Sequence, residues 1–143
     1  MIAMQNRLCP NRDEIAFKVI GGEAIIMNIS RGVCYSLYNV GAVIWEMIEG
    51  EYTLDDCVKA ILEHYDVSLG QAQTDVKVLA EQLFREMLVV ISENDAHRKY
   101  NPQSPNKPKL SYETPKLNIY RDIGELLALD PPIPGLKKIN WED

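Results

Sequence analysis

Proline is scarce in the first hundred residues of this chain of 143, which hold only one of its eight prolines, Pro10. Because proline breaks helices and central strands, this scarcity permits regular structure there, and the seven later prolines predict a punctuated tail. No apolar run approaches the length of a membrane span, and residues 1–10 lack the apolar core of a signal peptide. The sequence therefore predicts a cytoplasmic protein that has no membrane partner.

Cysteine and histidine are also few. The three cysteines, Cys9, Cys34 and Cys57, are widely spaced and odd in number, which favours reduced thiols over a disulfide framework. His64 and His97 have no cysteine or acidic partner at ligand spacing, and no glycine-rich phosphate loop or nucleophile–base motif is present. We therefore expect no metal, no cofactor and no catalytic activity.

Basic side chains do not outnumber acidic ones in either part of the chain, residues 1–92 or residues 93–143. The formal net charge of −6 falls on residues 1–92, with 13 acidic and 7 basic side chains, whereas residues 93–143 carry 8 of each. Binding to phosphates requires clustered lysine and arginine, so this balance disfavours a nucleic-acid partner. The composition, 46% hydrophobic and 25% charged, is typical of a globular protein with one core.

Strand patterns open the chain. Residues 15–20 and 24–29 are rich in β-branched and apolar residues, and Gly21-Gly22 between them is suited to the positive φ angles of a tight hairpin. After a turn at residues 30–32, residues 33–38 alternate between two faces. These patterns predict a three-stranded antiparallel sheet.

The period then changes to about 3.6 residues, which predicts helices. Three of them are expected to begin after Asn39, Thr53 and Ser68, whose side chains can accept the first free amide hydrogens. Their apolar stripes are Val40, Ile44, Trp45 and Ile48; Leu54, Val58, Ile61, Leu62 and Tyr65; and Ala72, Val76, Leu79, Leu83 and Met87. The apolar residues 88–91 predict a short closing strand or an extended exit from the domain.

Three strands followed by three helices predict an α+β domain over residues 1–92, arranged like a winged helix-turn-helix. That arrangement raises the possibility of DNA binding. The third helix, however, offers only Lys77 and Arg85, set among acidic residues, so contacts with a duplex are disfavoured.

The tail divides into two parts. Residues 93–109 are polar and contain three prolines, which is typical of a stiff linker. Apolar residues return in residues 110–143, so this part is expected to dock on a surface. Residues 122–129 have the spacing of a short helix, which the prolines at 131, 132 and 134 would end.

Residues 32–88 resemble the PqqD-like family, the small domains also called RiPP recognition elements, which bind leader peptides of ribosomally made and later modified peptides. The residues that carry the likeness are Gly32, Tyr35, Leu37, Gly41, Ile44, Trp45, Gly50, Thr53, Tyr65, Val67, Asp75, Val76, Leu79, Leu83 and Leu88. The chain departs from the family at one place, where it has Cys-Tyr-Ser-Leu-Tyr-Asn over residues 34–39 instead of Tyr-Tyr-x-Leu-Asn.

The resemblance implies that a leader peptide lies antiparallel along the third strand and is clamped on its other side by the third helix. Such strand addition uses the unpaired backbone groups of a sheet edge for affinity and side-chain pockets for selectivity. The strand candidates are Val33, Cys34, Tyr35, Ser36, Leu37 and Tyr38, and the helix candidates are Ala72, Asp75, Val76, Leu79 and Leu83.

The apolar periodicity offers a different role for part of this set. It predicts packing in the core, more than contact with a ligand, for Tyr35, Leu37, Val76, Leu79 and Leu83, and it places Trp45 in the core. Direct contact is favoured for the residues that lie off the main apolar faces, namely Cys34, Ser36, Tyr38 and Asp75.

The tail contains a second pattern. Tyr112, Pro115 and Leu117 match Tyr-x-x-Pro-x-Leu, which is similar to the recognition motif in leader peptides of lasso-peptide precursors; those leaders usually have a glycine where this chain has Arg121. Two interpretations follow. The tail is a leader mimic that occupies the peptide groove of its own chain or of a neighbour, or these residues cover an apolar patch elsewhere.

The sequence thus predicts a non-catalytic peptide-binding adaptor, a form of peptide chaperone. It would deliver a precursor to a maturation enzyme of peptide biosynthesis: a leader peptidase, a cyclase or a radical SAM enzyme. The alternatives are a winged-helix regulator that binds DNA or another protein, and an assembly scaffold whose tail swaps between chains and gives a homodimer.

Overall fold

A computed structural model describes residues 2–93, 100–101 and 108–121 of the chain. Its strands are β1 (Leu8–Pro10), β2 (Ala16–Ile20), β3 (Glu23–Asn28), β4 (Val33–Tyr38), β5 (Tyr65–Asp66), β6 (Val89–Ile91), β7 (Leu110–Ser111) and β8 (Asn118–Tyr120). Its helices are α1 (Val40–Glu49), α2 (Leu54–His64) and α3 (Leu69–Arg85). The predicted α+β class is confirmed, and the arrangement as a winged helix-turn-helix stays a prediction.

The main sheet has four strands in the order β2-β3-β4-β8, and every neighbouring pair is antiparallel. The predicted sheet of three strands is therefore wrong in number, although its three strands are present in the expected order. The fourth strand comes from the tail, where three residues are too few to give an alternating pattern that sequence reasoning can detect. The tail thus completes the sheet on the far side of β4.

The predicted hairpin is confirmed. Gly21 and Gly22 have φ angles of 57° and 79°, which a side chain would strain, and they connect β2 to β3. Ile15 and Ile29 fall just outside the strands that the sequence predicted to include them. β3 then pairs with β4 over six residues, from Asn28↔Val33 to Glu23↔Tyr38.

Two of the three predicted helix caps are confirmed. The Thr53 hydroxyl accepts from the Asp56 amide at 3.1 Å, and the Ser68 hydroxyl accepts from the Gln71 amide at 3.2 Å. The capping role predicted for the Asn39 side chain is wrong, because this residue has φ 51° instead of the extended backbone that directs a side chain at the first turn.

The core lies between the main sheet and the helices. Trp45 of α1 is fully buried, as predicted, and the Phe17 ring meets it edge-on at 5.3 Å between centroids. α1 approaches β4 closely at Gly41, where an added Cβ would lie 3.2 Å from the Leu37 Cβ. Met87, predicted for the buried stripe of α3, is instead 48% exposed, because the helix ends at Arg85.

Two shorter pairings lie outside the main sheet. β1 pairs antiparallel with β6, which confirms the predicted closing strand, and β5 pairs parallel with β7 from the tail. In the described part of the chain, no helix is both long and apolar enough to cross a bilayer. The helix predicted near residues 122–129 lies outside the described residues, and the division at residues 92 and 109 stays a prediction.

Candidate functional site

The described tail follows one face of the domain from α2 to the edge of β4. The Tyr100 hydroxyl donates to the Glu63 carboxylate on α2. Farther along, β7 pairs with β5, which directly follows α2. The tail therefore reaches the candidate site already held at two earlier points.

Tyr112 connects the tail to α3. Its hydroxyl donates to Asp75 Oδ2 at 2.5 Å, and its ring meets Tyr65 edge-on at 6.2 Å. Asp75 is only 7% exposed and also accepts from Gln71 Nε2 at 2.9 Å. Burial, together with the Asp75 carboxylate, raises the pKa of Tyr112, so the phenol remains a neutral donor at physiological pH.

Leu117 and Pro115 lie beside β4. Leu117 is 8% exposed and joins the same buried cluster as the inner faces of β4 and α3. Pro115 is half-buried and lines a cavity of about 140 Å³ together with Tyr38, the last residue of β4. Leu117 therefore packs in the core, and Pro115 lies at the edge of the contact between the tail and the domain.

β8 forms the ladder along β4. Its register pairs Cys34 with Tyr120, Tyr35 with Ile119, and Ser36 with Asn118. The side-chain amide of Asn118 also donates to the Ser36 backbone carbonyl at 3.4 Å and to the Ser36 hydroxyl at 3.3 Å. Backbone pairing and a side-chain hydrogen bond thus act together on this edge.

A charged contact ends the described tail. Arg121 Nη2 lies 3.1 Å from Glu86 Oε2, and the Tyr35 hydroxyl donates to Glu86 Oε1 at 2.9 Å. Burial acts to raise the pKa of Glu86, but the hydrogen bonds from Arg121 and Tyr35 hold this pKa below its ordinary value. Burial and the Glu86 carboxylate raise the pKa of Tyr35 to about 12.

The predicted strand residues divide into two groups. Cys34, Tyr35 and Ser36 pair with the tail, whereas Val33, Leu37 and Tyr38 pair only with β3 among the described strands. Packing in the core is confirmed for the five residues for which periodicity predicted it: Tyr35, Leu37, Val76, Leu79 and Leu83.

On the predicted helix wall, Asp75 binds the tail through Tyr112. The other predicted wall residues are buried in the cluster that contains Leu117, namely Ala72, Val76, Leu79 and Leu83. For every residue of the strand and of the wall, a role in binding a separate peptide stays a prediction.

Sequence reasoning missed Glu86 and Arg121. Glu86 lies three residues after Leu83 and seven after Leu79, so helical spacing places it on the face of α3 that is directed at β4. That spacing was the available signal. Arg121 gave no comparable signal, because its position depends on a strand pairing across more than eighty residues.

The site offers binding groups more than reactive ones. Burial raises the pKa of the Cys34 thiol to about 11, which keeps it protonated and a weak nucleophile at neutral pH. Among the residues that the structure describes, no three His, Cys, Asp or Glu side chains cluster as metal ligands would. The arrangement consists of an extended backbone edge flanked by the carboxylates of Asp75 and Glu86.

Residues 23–89 match the family model "Coenzyme PQQ synthesis protein D (PqqD)". No curated protein and no solved structure matches the chain significantly. The matched residues include β3, β4 and all three helices, and so both walls of the candidate site. Residues 23–89, slightly less than half of the chain, are therefore similar to the PqqD family, in agreement with the resemblance over residues 32–88.

Proposed function

We propose that this chain is a non-catalytic peptide-binding adaptor of RiPP biosynthesis. It captures the leader of a precursor peptide by strand addition at β4 and presents it to a maturation enzyme: a peptidase, a cyclase or a radical SAM enzyme. The observation that carries the proposal is the antiparallel pairing of an extended segment, β8, with the outer edge of β4. An edge that accepts one extended segment offers the same backbone groups to another.

In this proposal, the tail is a leader mimic that occupies the groove of its own chain. Tyr112 lies against α3, and Pro115 and Leu117 lie beside β4, at the spacing of the lasso-leader pattern. A tethered segment competes at an effective concentration on the order of millimolar. The tail therefore acts as a gate that a leader must displace.

Removal of the tail tests the gate. A chain that ends after Glu93 keeps β1 to β6 and loses β7 and β8. We expect it to bind a fluorescent peptide of residues 108–121 more than about tenfold more tightly than the full chain does, because the competing tail is gone. Fluorescence polarisation measures both affinities, and unchanged or weaker binding after truncation would refute self-occupancy.

The control for this experiment is a fold check and a second variant. Far-ultraviolet circular dichroism reports whether the truncated chain keeps its helices. In the full chain, Tyr120→Pro removes the backbone amide hydrogen that faces Cys34 of β4 without shortening the protein, and it should also raise the affinity for the peptide. A nearby short open reading frame that encodes Tyr-x-x-Pro-x-Leu would supply the natural leader as a further probe.

The two alternatives give different results. A DNA-binding regulator would shift genomic fragments in a gel in a salt-dependent manner, whereas the adaptor should give no shift. A tail-swapped scaffold would form a concentration-dependent dimer that disappears on truncation. The adaptor with its tail in cis is expected to stay monomeric at concentrations where its groove is closed.

A further inference from the structure

Glu86 lies at the junction of α3 and β4. It directly follows the last residue of the helix, and its side chain is 14% exposed. Its carboxylate accepts from the Tyr35 hydroxyl at 2.9 Å and from Arg121 Nη2 at 3.1 and 3.3 Å. One carboxylate therefore joins the helix, the central strand and the tail.

The strand register fixes which residue reaches this carboxylate. Tyr120 pairs with Cys34, and Arg121 follows it directly. A peptide that replaces β8 in the same register presents its equivalent residue at the same place. That residue lies four positions after the one that takes the buried position of Leu117.

The environment of Glu86 favours a cation at that position. A carboxylate largely withdrawn from water requires charged or hydrogen-bonding partners, and Tyr35 supplies a single hydroxyl. Arg31 adds attraction through space. A neutral residue in place of Arg121 leaves the carboxylate incompletely paired, and an acidic residue repels it.

We propose that Glu86 and Tyr35 form a cation subsite that selects a lysine or arginine in the peptide bound at β4. The selected residue lies four positions after the apolar residue in the place of Leu117. This inference rests on the proposed function and adds to it a chemical class of ligand: leader peptides with a basic residue at this spacing, which sets them apart from the lasso-peptide leaders that usually have a glycine there.

Peptide binding to a chain with a released tail tests the subsite. The full chain carries Leu117→Asp and Tyr120→Pro to release the tail, and the probes are peptides of residues 108–121 with Arg121 kept or replaced. We expect Arg121→Ala to weaken binding about fivefold to tenfold, Arg121→Glu to weaken it further, and Arg121→Lys to change it little.

Substitutions in the protein show which of its residues pairs with Arg121 of the peptide. Glu86→Gln should remove the preference for the Arg121 peptide over the alanine peptide. Glu81 is a half-buried acid within α3, and Glu81→Gln should keep that preference. Glu86→Lys should restore binding of the Arg121→Glu peptide. Equal affinity of the Arg121 and alanine peptides for the chain with Glu86 would overturn the subsite and leave strand addition intact. Absence of binding by every peptide would overturn both.

A second measurement needs no released tail. In the otherwise unaltered full chain, Arg121→Ala and Glu86→Gln should each speed hydrogen exchange of the β8 amides by about fivefold to tenfold. Since the two changes remove one contact, the double variant should exchange no faster than either single variant. Additive effects, or no effect, would contradict the proposal.

Discussion

The two neighbours of β4 differ in length and in origin. β3 lies just before β4 in the chain and pairs with it over six residues, whereas β8 comes from the tail and pairs over three. Ile26 of β3 and Ile119 of β8 flank the same residue, Tyr35, from opposite sides. Ile26 is fully buried, but Ile119 is 38% exposed.

This difference separates a strand that builds the fold from a strand that is added to it. The side chains of β3 contribute to the core, so the domain depends on them. β8 relies on a short backbone ladder supplemented by side-chain anchors at Tyr112, Leu117 and Arg121. In the proposed function, a segment held in this way is exchanged for another that places an apolar side chain where Leu117 lies.

Alanine substitutions at the two isoleucines give the largest contrast. Ile26→Ala should lower the free energy of unfolding by about 2–5 kcal/mol, because it leaves a cavity in the core. Ile119→Ala should lower it by less than about 1 kcal/mol, since the side chain is partly exposed. Urea denaturation followed by circular dichroism measures both, and equal losses would mean that β8 is as much a part of the fold as β3.

Removal of one hydroxyl should affect the tail alone. Tyr112→Phe deletes the donor to Asp75, which keeps only its bond from Gln71, so docking of the tail should weaken by about 1–2 kcal/mol. Exchange of the β8 amides with solvent should therefore speed up, while that of the β3 amides stays unchanged. Tyr120→Phe, a change of the same size within β8, is the control. Equal acceleration by both variants would contradict the anchoring role of Tyr112.

Acid should release the tail by a smaller amount. The folded pKa of Glu86 is below its ordinary value of 4.5, so the stability that its ionised form contributes is complete above that pH. It is lost as the pH falls through the lowered pKa. Exchange of the β8 amides, compared with that of β2, should rise a few-fold on acidification, after correction for intrinsic exchange rates.

The control for the acid experiment is Glu86→Gln. This variant should show weaker protection of β8 at neutral pH and less further change on acidification. An unchanged acid response in the variant would rule out Glu86 as the source of the effect.

The fold of the domain was largely predictable because its signals are local. The Gly21-Gly22 turn, the alternation of β4, and the capping residues Thr53 and Ser68 each act within a few residues. Asn39 is the exception, since the sharp passage from β4 into α1 imposes a positive φ that its residue type does not reveal.

The candidate site was predictable only in part. β4, Asp75 and the tail residues Tyr112, Pro115 and Leu117 could be named from the resemblance and the leader pattern. The charged contact with Glu86 could not, because it joins residues 35 positions apart through a strand register that no local pattern encodes. Short strands such as β7 and β8 acquire their structure from the edges on which they lie.

The placement of β8 also changes which backbone the sheet presents to other molecules. With the tail in place, the edge of the sheet on this side is a strand of three residues that is followed directly by the cation Arg121. Short edge strands and flanking charges discourage pairing between molecules. β4 is rich in apolar side chains, and an uncovered edge of this kind is a template for aggregation, so the tail also shields three residues of that edge from other molecules.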